Sequence, residues 1–462
     1  MEKEPLTKKK LHKVNARQLA VECLVAWERQ SPDKRLPLNN LASDFLNKHN
    51  ISIVERRLFW ELVVGCVRWL RLLDYHVGLH LKKSKSSLPI LVRNWLRVGA
   101  YQLLFLEKIP PSAAVNETVK GLKKSKARWA SGLANAVLRK IAVIREKEGM
   151  EAARKVPGPI RSPAKKISIE TSHPEWMVKR WIERYGQNRA QLLCRVNNSR
   201  PPLTLRTNTL KCTRDEVIAL LHEEGLKPRP GKMSREAVII EADHISITEL
   251  PGFSKGLFQV QDESSQLVSH LLAPKPGEKV LDLCAGLGGK TTHMAALMKN
   301  MGTIIATDTN SKRLALLREN CKRLGVKNVL NKKLNEIEKE APFDKILVDA
   351  PCTGIGVIRR HPDIKWNRSP ESIDRMAKIQ LSLLDQAAEL LKPGGWVAYS
   401  VCSIEPEEGQ GVIESFVRGS GNWNVLSADE IMPEIEKGPF LKLLPQAKGP
   451  DGFFAALIEK VD

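Results

Sequence analysis

Two cysteines, each just past a short apolar run, are the residues of this 462-residue chain best suited to covalent chemistry. Cys352 ends Asp349-Ala-Pro-Cys, after Lys345-Ile-Leu-Val; Cys402 ends Ser400-Val-Cys, after Trp396-Val-Ala-Tyr. A thiolate is a strong nucleophile, and a second thiol beside it assists release of what the first one holds. Asp349 adds a carboxyl group suited to sharing a proton with a substrate nitrogen. Cys23, Cys66, Cys194 and Cys321 read instead as inert, buried small hydrophobes. The eight cysteines form no CxxC pair, so the sequence predicts no metal site, and free thiols fit a reducing cytoplasm.

A second group of residues suits a nucleotide-like ligand. The run Cys284-Ala285-Gly286-Leu287-Gly288-Gly289-Lys290 follows the apolar Val280-Leu-Asp-Leu and precedes a helical pattern. Glycines there allow a tight turn and a close backbone approach to a ligand at the positive end of a helix. A nucleoside-triphosphate loop is excluded by spacing, because Cys284 stands where its first glycine belongs. Asp308 lies about 20 residues beyond the glycines, where a carboxylate accepts both hydroxyls of a ribose. Loop and carboxylate together indicate an adenosine-containing cofactor; singly, each also fits a structural turn or a helix cap.

These residues need a parallel sheet to bring them together. Strand-like runs at Lys279–Cys284, Thr303–Asp308, Lys345–Ala350 and Trp396–Cys402 alternate with helical patterns at 292–299, 311–324 and 373–391. That alternation predicts an α/β, Rossmann-like domain over 261–462, with a doubly wound, mostly parallel sheet. Ligands of such sheets bind beyond the carboxyl ends of the strands, so Gly286, Asp308, Cys352 and Cys402 would face one crevice. Residues 1–150 show apolar positions at three- and four-residue spacing and predict an all-α domain. Residues 151–168, with Pro157-Gly-Pro and Ser162-Pro-Ala-Lys-Lys, read as a linker. Residues 169–260 mix helical and strand patterns and read as a small α+β domain.

Two thiols and a carboxyl group fit one reaction well. Cytosine C5 is too weak a nucleophile to take a methyl group directly. Thiolate attack at C6 makes an enamine whose C5 is nucleophilic, and the later loss of the C5 proton and of the enzyme is where a second thiol helps. Over nearly its whole length the chain also resembles the bacterial Sun (RsmB) type of ribosomal RNA cytosine-5 methyltransferase. The carrying segments are Leu281-Asp-Leu-Cys-Ala-Gly-Leu-Gly-Gly-Lys-Thr, Asp349-Ala-Pro-Cys-Thr-Gly-Ile-Gly-Val-Ile-Arg-Arg-His-Pro-Asp-Ile-Lys-Trp and Tyr399-Ser-Val-Cys-Ser-Ile-Glu-Pro-Glu-Glu. Residues 103–116 and Gly132-Leu-Ala-Asn-Ala-Val-Leu-Arg resemble the family's NusB-like helical domain.

The resemblance implies Cys402 as nucleophile and Cys352 as the group that helps release product. It implies S-adenosylmethionine held by residues 284–290, with Asp308 at the ribose and Asp349 also lining the pocket. The loop departs from the family's usual Ala-Ala-Pro-Gly-Gly, so a proline's fixed φ is lost at Leu287. Asn335 replaces an acidic residue near the adenine and brings a hydrogen-bond acceptor without a charge.

Charge points to where RNA is held. The chain carries a net +22. Residues 1–168 hold 34 Lys and Arg against 14 Asp and Glu, leaving +2 for everything beyond. The expected footprint for phosphate is therefore the first third, at Lys82-Lys83-Ser-Lys85 and Lys123-Lys124-Ser-Lys126-Ala-Arg128. Arg359, Arg360, His361, Lys365 and Trp366 are expected to grip the target strand, Trp366 by stacking on a base. The substrate implied by the resemblance is small-subunit (16S) ribosomal RNA, bound by a monomer. Transfer RNA, or a non-enzymatic role in ribosome assembly, are the competing readings. DNA is disfavoured because its cytosine-5 enzymes use a single Pro-Cys nucleophile, and membrane by the absence of an apolar leader or of a spanning run.

Overall fold

Helical spacing in the first third is realised as a set of helices whose apolar stripes share one core. The computed structural model describes residues 15–81, 88–241, 245–432 and 438–461, so the stretch Lys82–Lys85 lies outside the described residues. The chain divides into two compact units: Met1–Asn198 with His361–Asn367, and Ser199–Arg360 with Arg368–Asp462. Among the described residues no helix is long and apolar enough to cross a membrane.

In the first unit the main helices are Ala16–Glu28, Ile53–Arg68, Ile90–Phe105, Pro111–Lys124 and Ser131–Arg154. They bury Leu19, Trp27, Phe59, Trp95, Leu103 and Leu138 in a single core. The helix Pro111–Lys124 passes so close to Trp95 that a Cβ on Gly121 would lie 2.0 Å from the indole ring. One charged group is buried here with its partners: Arg97 donates to both oxygens of Asp74 at 2.8 and 2.9 Å and to Glu28 at 2.8 Å. That bidentate pairing offsets the cost of desolvating the guanidinium.

Residues 151–168 are not a simple connector. The helix Ser131–Arg154 runs into them, and Pro163–Glu170 is a further helix, capped by Ser162 and with proline in its first turn. Ser-Pro at this point is a helix start as readily as a linker signal. Helices Glu175–Tyr185 and Gln187–Asn197 follow and also fall in the first unit.

The second unit holds two sheets. The smaller consists of β1 (Leu203–Thr207), β2 (Pro228–Pro230), β3 (Ala237–Ile240) and β4 (Phe258–Val260), antiparallel in the order β2-β3-β1-β4. The helix Arg214–Glu223, opened by a capping box between Thr213 and Glu216, buries Val217 and Leu221 in the core of this sheet.

The larger sheet consists of β5 (Lys279–Asp282), β6 (Thr303–Ala306), β7 (Val329–Asn331), β8 (Phe343–Asp349), β9 (Leu391–Val401), β10 (Trp423–Leu426), β11 (Leu441–Leu443) and β12 (Phe453–Lys460). Its order is β10-β12-β9-β8-β5-β6-β7, with β11 paired to β12. The pairs among β5 to β9 are parallel, and β12 is antiparallel to β9, β10 and β11. Side chains alternate across it. Ile346, Val348, Val397 and Tyr399 pack with helices Pro370–Leu390 and Gln410–Ser420, while Leu347 and Ala398 pack with Glu263–Leu272 and Gly289–Leu297. Covered on both faces, this is the doubly wound sheet expected from the alternating pattern, preceded by helical and α+β regions.

Candidate active site

Parallel order brings the ends of β5, β6, β8 and β9 to one edge, and in the β8–β9 register Asp349 pairs with Ser400. A cavity of about 430 Å³ lies there. Its walls include Cys284, Ala285, Gly286, Leu287, Gly289 and Lys290 from the glycine loop, together with Asp349 and Cys402. Gly288 sits inside the same loop. It takes φ 82°, and a Cβ there would lie 2.8 Å from Leu317, so both conformation and space require glycine. Gly286 also takes a left-handed φ, 56°, which glycine adopts without strain.

The loop is fastened by hydrogen bonds. Asp308 Oδ2 accepts from Gly286 N at 3.1 Å and its Oδ1 from Asn310 N at 2.7 Å. Asn310, rather than Asp308, caps the helix Ser311–Leu324. From β1, the buried Arg206 donates to Gly289 O and to Thr292 Oγ1, the latter at 3.0 Å, and so ties the small sheet to the start of the following helix. Asn335 stands exposed on a short 3₁₀ helix beyond β7 and is not among the residues lining the cavity.

The reactive groups are closely set. Cys352 Sγ lies 3.2 Å from Cys402 Sγ, although 50 residues separate them in sequence. The contact with Cys402, with burial and the charge of Glu408 behind it, pushes the Cys352 thiol well above its ordinary range, so its proton stays on. Asp349 is held from two sides, accepting from Lys290 Nζ at 2.6 Å and from Ser400 Oγ at 2.8 Å. Below it Asp282 is fully buried, accepts from Thr291 Oγ1 at 2.7 Å, and has its carboxyl pushed up to about 7 by burial, with Asp349 adding to the shift. The buried Cys23 and Cys194 are pushed up to about 12 by desolvation, which leaves them unreactive.

Glu408 has a role that no local sequence pattern signals. Glu408 accepts from Thr353 N at 2.7 Å, from Ser403 Oγ at 2.6 Å, from Gln380 Nε2 at 3.2 Å and from Thr353 Oγ1. Thr353 follows Cys352 and Ser403 follows Cys402, so a single buried carboxylate clamps the two cysteine-bearing loops together.

The expected strand-gripping residues have other work. Arg359 is fully buried against Asp451 and donates to Gln446 O at 2.6 Å and Gly449 O at 2.7 Å. Arg360 pairs with Asp451 and, at 2.8 Å, with Asp262. His361, Lys365 and Trp366 fall in the first unit. There Lys365 is buried and donates to Arg68 O at 2.7 Å and Asn198 Oδ1 at 3.0 Å, and burial holds its amine well below the usual range. Trp366 donates its Nε1–H to Val67 O at 2.7 Å and packs on that unit's core, while His361 Nδ1 lies 3.4 Å from Asn39. These side chains are engaged within the fold, and the strand gripping expected of them does not hold.

A doubly wound sheet ending in an antiparallel strand, with a glycine loop at its parallel edge, defines the Rossmann-like methyltransferase class. Residues 269–459 match the family described as 16S rRNA methyltransferase RsmB/F, residues 14–143 the NusB family, and residues 173–247 a ferredoxin-like domain of RsmF/B-like methyltransferases. The chain is 35% identical over 461 residues to the "Probable ribosomal RNA small subunit methyltransferase B" of Bacillus subtilis (strain 168), covering 97% of this chain and 100% of that one. It is 35% identical over 451 residues to the "Ribosomal RNA small subunit methyltransferase B" of Escherichia coli O6:K15:H31 (strain 536 / UPEC), covering 96% and 99%. Among solved structures, PH0851 aligns with a TM-score of 0.77 at 26% identity over 98% of this chain and 100% of that one. A methyltransferase homologue from Pyrococcus horikoshii aligns at 0.57, with 31% identity over 65% of this chain and 100% of its own. The chain belongs to the RsmB/F family of ribosomal RNA small-subunit methyltransferases.

Proposed function

We propose that this methyltransferase moves a methyl group from S-adenosylmethionine to C5 of a cytosine in small-subunit ribosomal RNA, through a covalent bond between Cys402 and C6. The observation that carries the reading is the pair of thiols 3.2 Å apart, beside a carboxylate at a parallel sheet edge. The cavity suits the cofactor. Its glycine loop admits close backbone approach, and Asp349 offers a carboxylate to a cationic sulfonium compound. Residues 284–290, Asp308 and Asp349 would hold it, with Asn335 the outlying member of the set; when bound it supplies the methyl group.

The chain's own residues do the rest. The Cys402 thiolate adds to C6, and the C5=C6 electron pair becomes available at C5. Asp349, with Lys290 Nζ at 2.6 Å, shares a proton with N3 and stabilises the adduct. Once C5 carries the methyl group, its proton passes to water, the N3 proton returns to Asp349, and the C6–S bond breaks to restore the C5=C6 double bond and the Cys402 thiolate. Cys352 assists this elimination. Labelled cofactor and unmodified small-subunit RNA test the reading: Cys402→Ala abolishes transfer, and Cys352→Ala accumulates a covalent RNA–protein adduct. Transfer to an RNA other than the small-subunit one alone would move the substrate assignment.

A further inference from the structure

Away from the cavity, three side chains from three separate elements converge in the second unit. Glu236 immediately precedes β3, His270 lies in the helix Glu263–Leu272, and His293 lies in the helix Gly289–Leu297. One donor atom from each falls within 4.8 Å of the other two. His270 Nε2 is 2.7 Å from Glu236 Oε2, His293 Nε2 is 4.0 Å from the same oxygen, and the two imidazoles meet edge to face with centroids 5.0 Å apart.

His293 is the telling member. It is 1% exposed, and neither ring nitrogen has a hydrogen-bond partner. A buried imidazole in that state is desolvated without compensation, and it is aimed at a carboxylate and a second histidine. Burial first, then the nearby Arg206, His270 and Arg235, hold its pKa well below the ordinary value.

We propose that Glu236, His270 and His293 form a binding site for a transition-metal dication of the zinc type, with water as fourth ligand. Two imidazoles and one carboxylate are a common zinc set, with bonds of about 2.0–2.2 Å. Tetrahedral bonds of that length put ligand atoms about 3.3 Å apart, so the 2.7 Å separation opens and the 4.0 Å one closes, each by less than about 1 Å. The supporting contacts are present: Ser234 Oγ donates to Glu236 Oε2 at 3.1 Å, and Arg235 Nε lies 3.3 Å from Glu236 Oε1. Arg235 also donates to His270 Nδ1 at 3.3 Å. Metal binding at Nε2 moves the His270 proton to Nδ1 or to solvent, and the exposed Arg235 swings off. Access is through a cleft of about 490 Å³ on which His270, Ser234 and Arg235 open. The ion would fasten β3 to the helix that begins at Gly289, directly after the glycine loop.

The test is titration of the whole, reduced chain with Co²⁺ and then Zn²⁺, followed by visible and near-ultraviolet absorption. One cobalt per chain, with a tetrahedral visible spectrum, no thiolate charge-transfer band, and displacement by zinc, is the expected result. His270→Gln, at a partly exposed position, should weaken binding by about 10–100-fold and abolish the zinc-dependent rise in melting temperature. Absence of a stoichiometric cobalt spectrum in the unaltered chain overturns the site. So does a thiolate band, which would put the ion on cysteines, or zinc affinity unchanged in His270→Gln.

Discussion

Among the described residues, two basic stretches have opposite fates. Lys123, Lys124, Lys126 and Arg128 are all exposed, and Trp129 beside them is 65% exposed. Arg359 and Lys365 are buried, and Arg360 and Trp366 are partly buried; each is engaged by a carboxylate, a carbonyl or a core. In sequence both are short cationic runs with a tryptophan. The difference lies in distant partners: Asp451 and Asp262 accept the arginines, whereas no such partner faces Lys123–Arg128 among the described interactions. A cationic run is left exposed at the surface where the fold supplies no counter-charge. Where it does, the run becomes a structural joint.

The contrast breaks most sharply at Arg359. Arg359→Met leaves the buried Asp451 with one cationic partner fewer and should cost about 3–5 kcal/mol in urea denaturation. Lys124→Met should change stability by no more than about 0.5 kcal/mol. Equal losses would abolish the distinction. On the other side, replacing Lys123, Lys124, Lys126 and Arg128 with alanine should weaken RNA binding on the order of 10²-fold at low salt. It should also flatten the log–log salt dependence by about 0.7 per charge, as filter binding at several salt concentrations would show.

Asp282 sharpens the same point with the opposite sign of charge, because it is buried without a cation of its own. Its folded pKa of about 7 lies above the ordinary value of 3.8, so the folded state holds the proton more tightly than the unfolded state. Its contribution to stability is greatest at low pH and is lost as pH rises through that interval, at up to about 1.4 kcal/mol per pH unit. Denaturation of the cofactor-free chain from pH 4 to 8 should show that slope, and Asp282→Asn should remove it. Trp366 should give a smaller loss than Arg359. Trp366→Phe loses the hydrogen bond to Val67 O and should cost about 1 kcal/mol of stability, with RNA affinity unchanged.

What was legible in the sequence follows the same division. Local periodicity and strand-to-helix punctuation locate the large sheet, and the rule that ligands bind at strand ends places Gly286 and Cys402 on one cavity, whose lining does not include Asp308 or Cys352. Pairings across long separations left no local trace. Glu408 with Thr353, Arg359 with Asp451 and His293 with Glu236 are each set by the tertiary fold. For that reason the cation run reads in sequence as a grip, whereas Ser162-Pro is locally ambiguous between a linker and a helix start. Cysteine spacing likewise carries no signal of the proposed site made of two histidines and a carboxylate.

The central claim concerns the two cysteines, and one denaturing gel addresses it directly. Chain carrying Cys352→Ala, incubated with unmodified small-subunit RNA and S-adenosylmethionine, should give a slow-migrating, nuclease-sensitive adduct that the additional change Cys402→Ala removes. An adduct that persists without Cys402, or methyl transfer undiminished by Cys402→Ala, would contradict the covalent account.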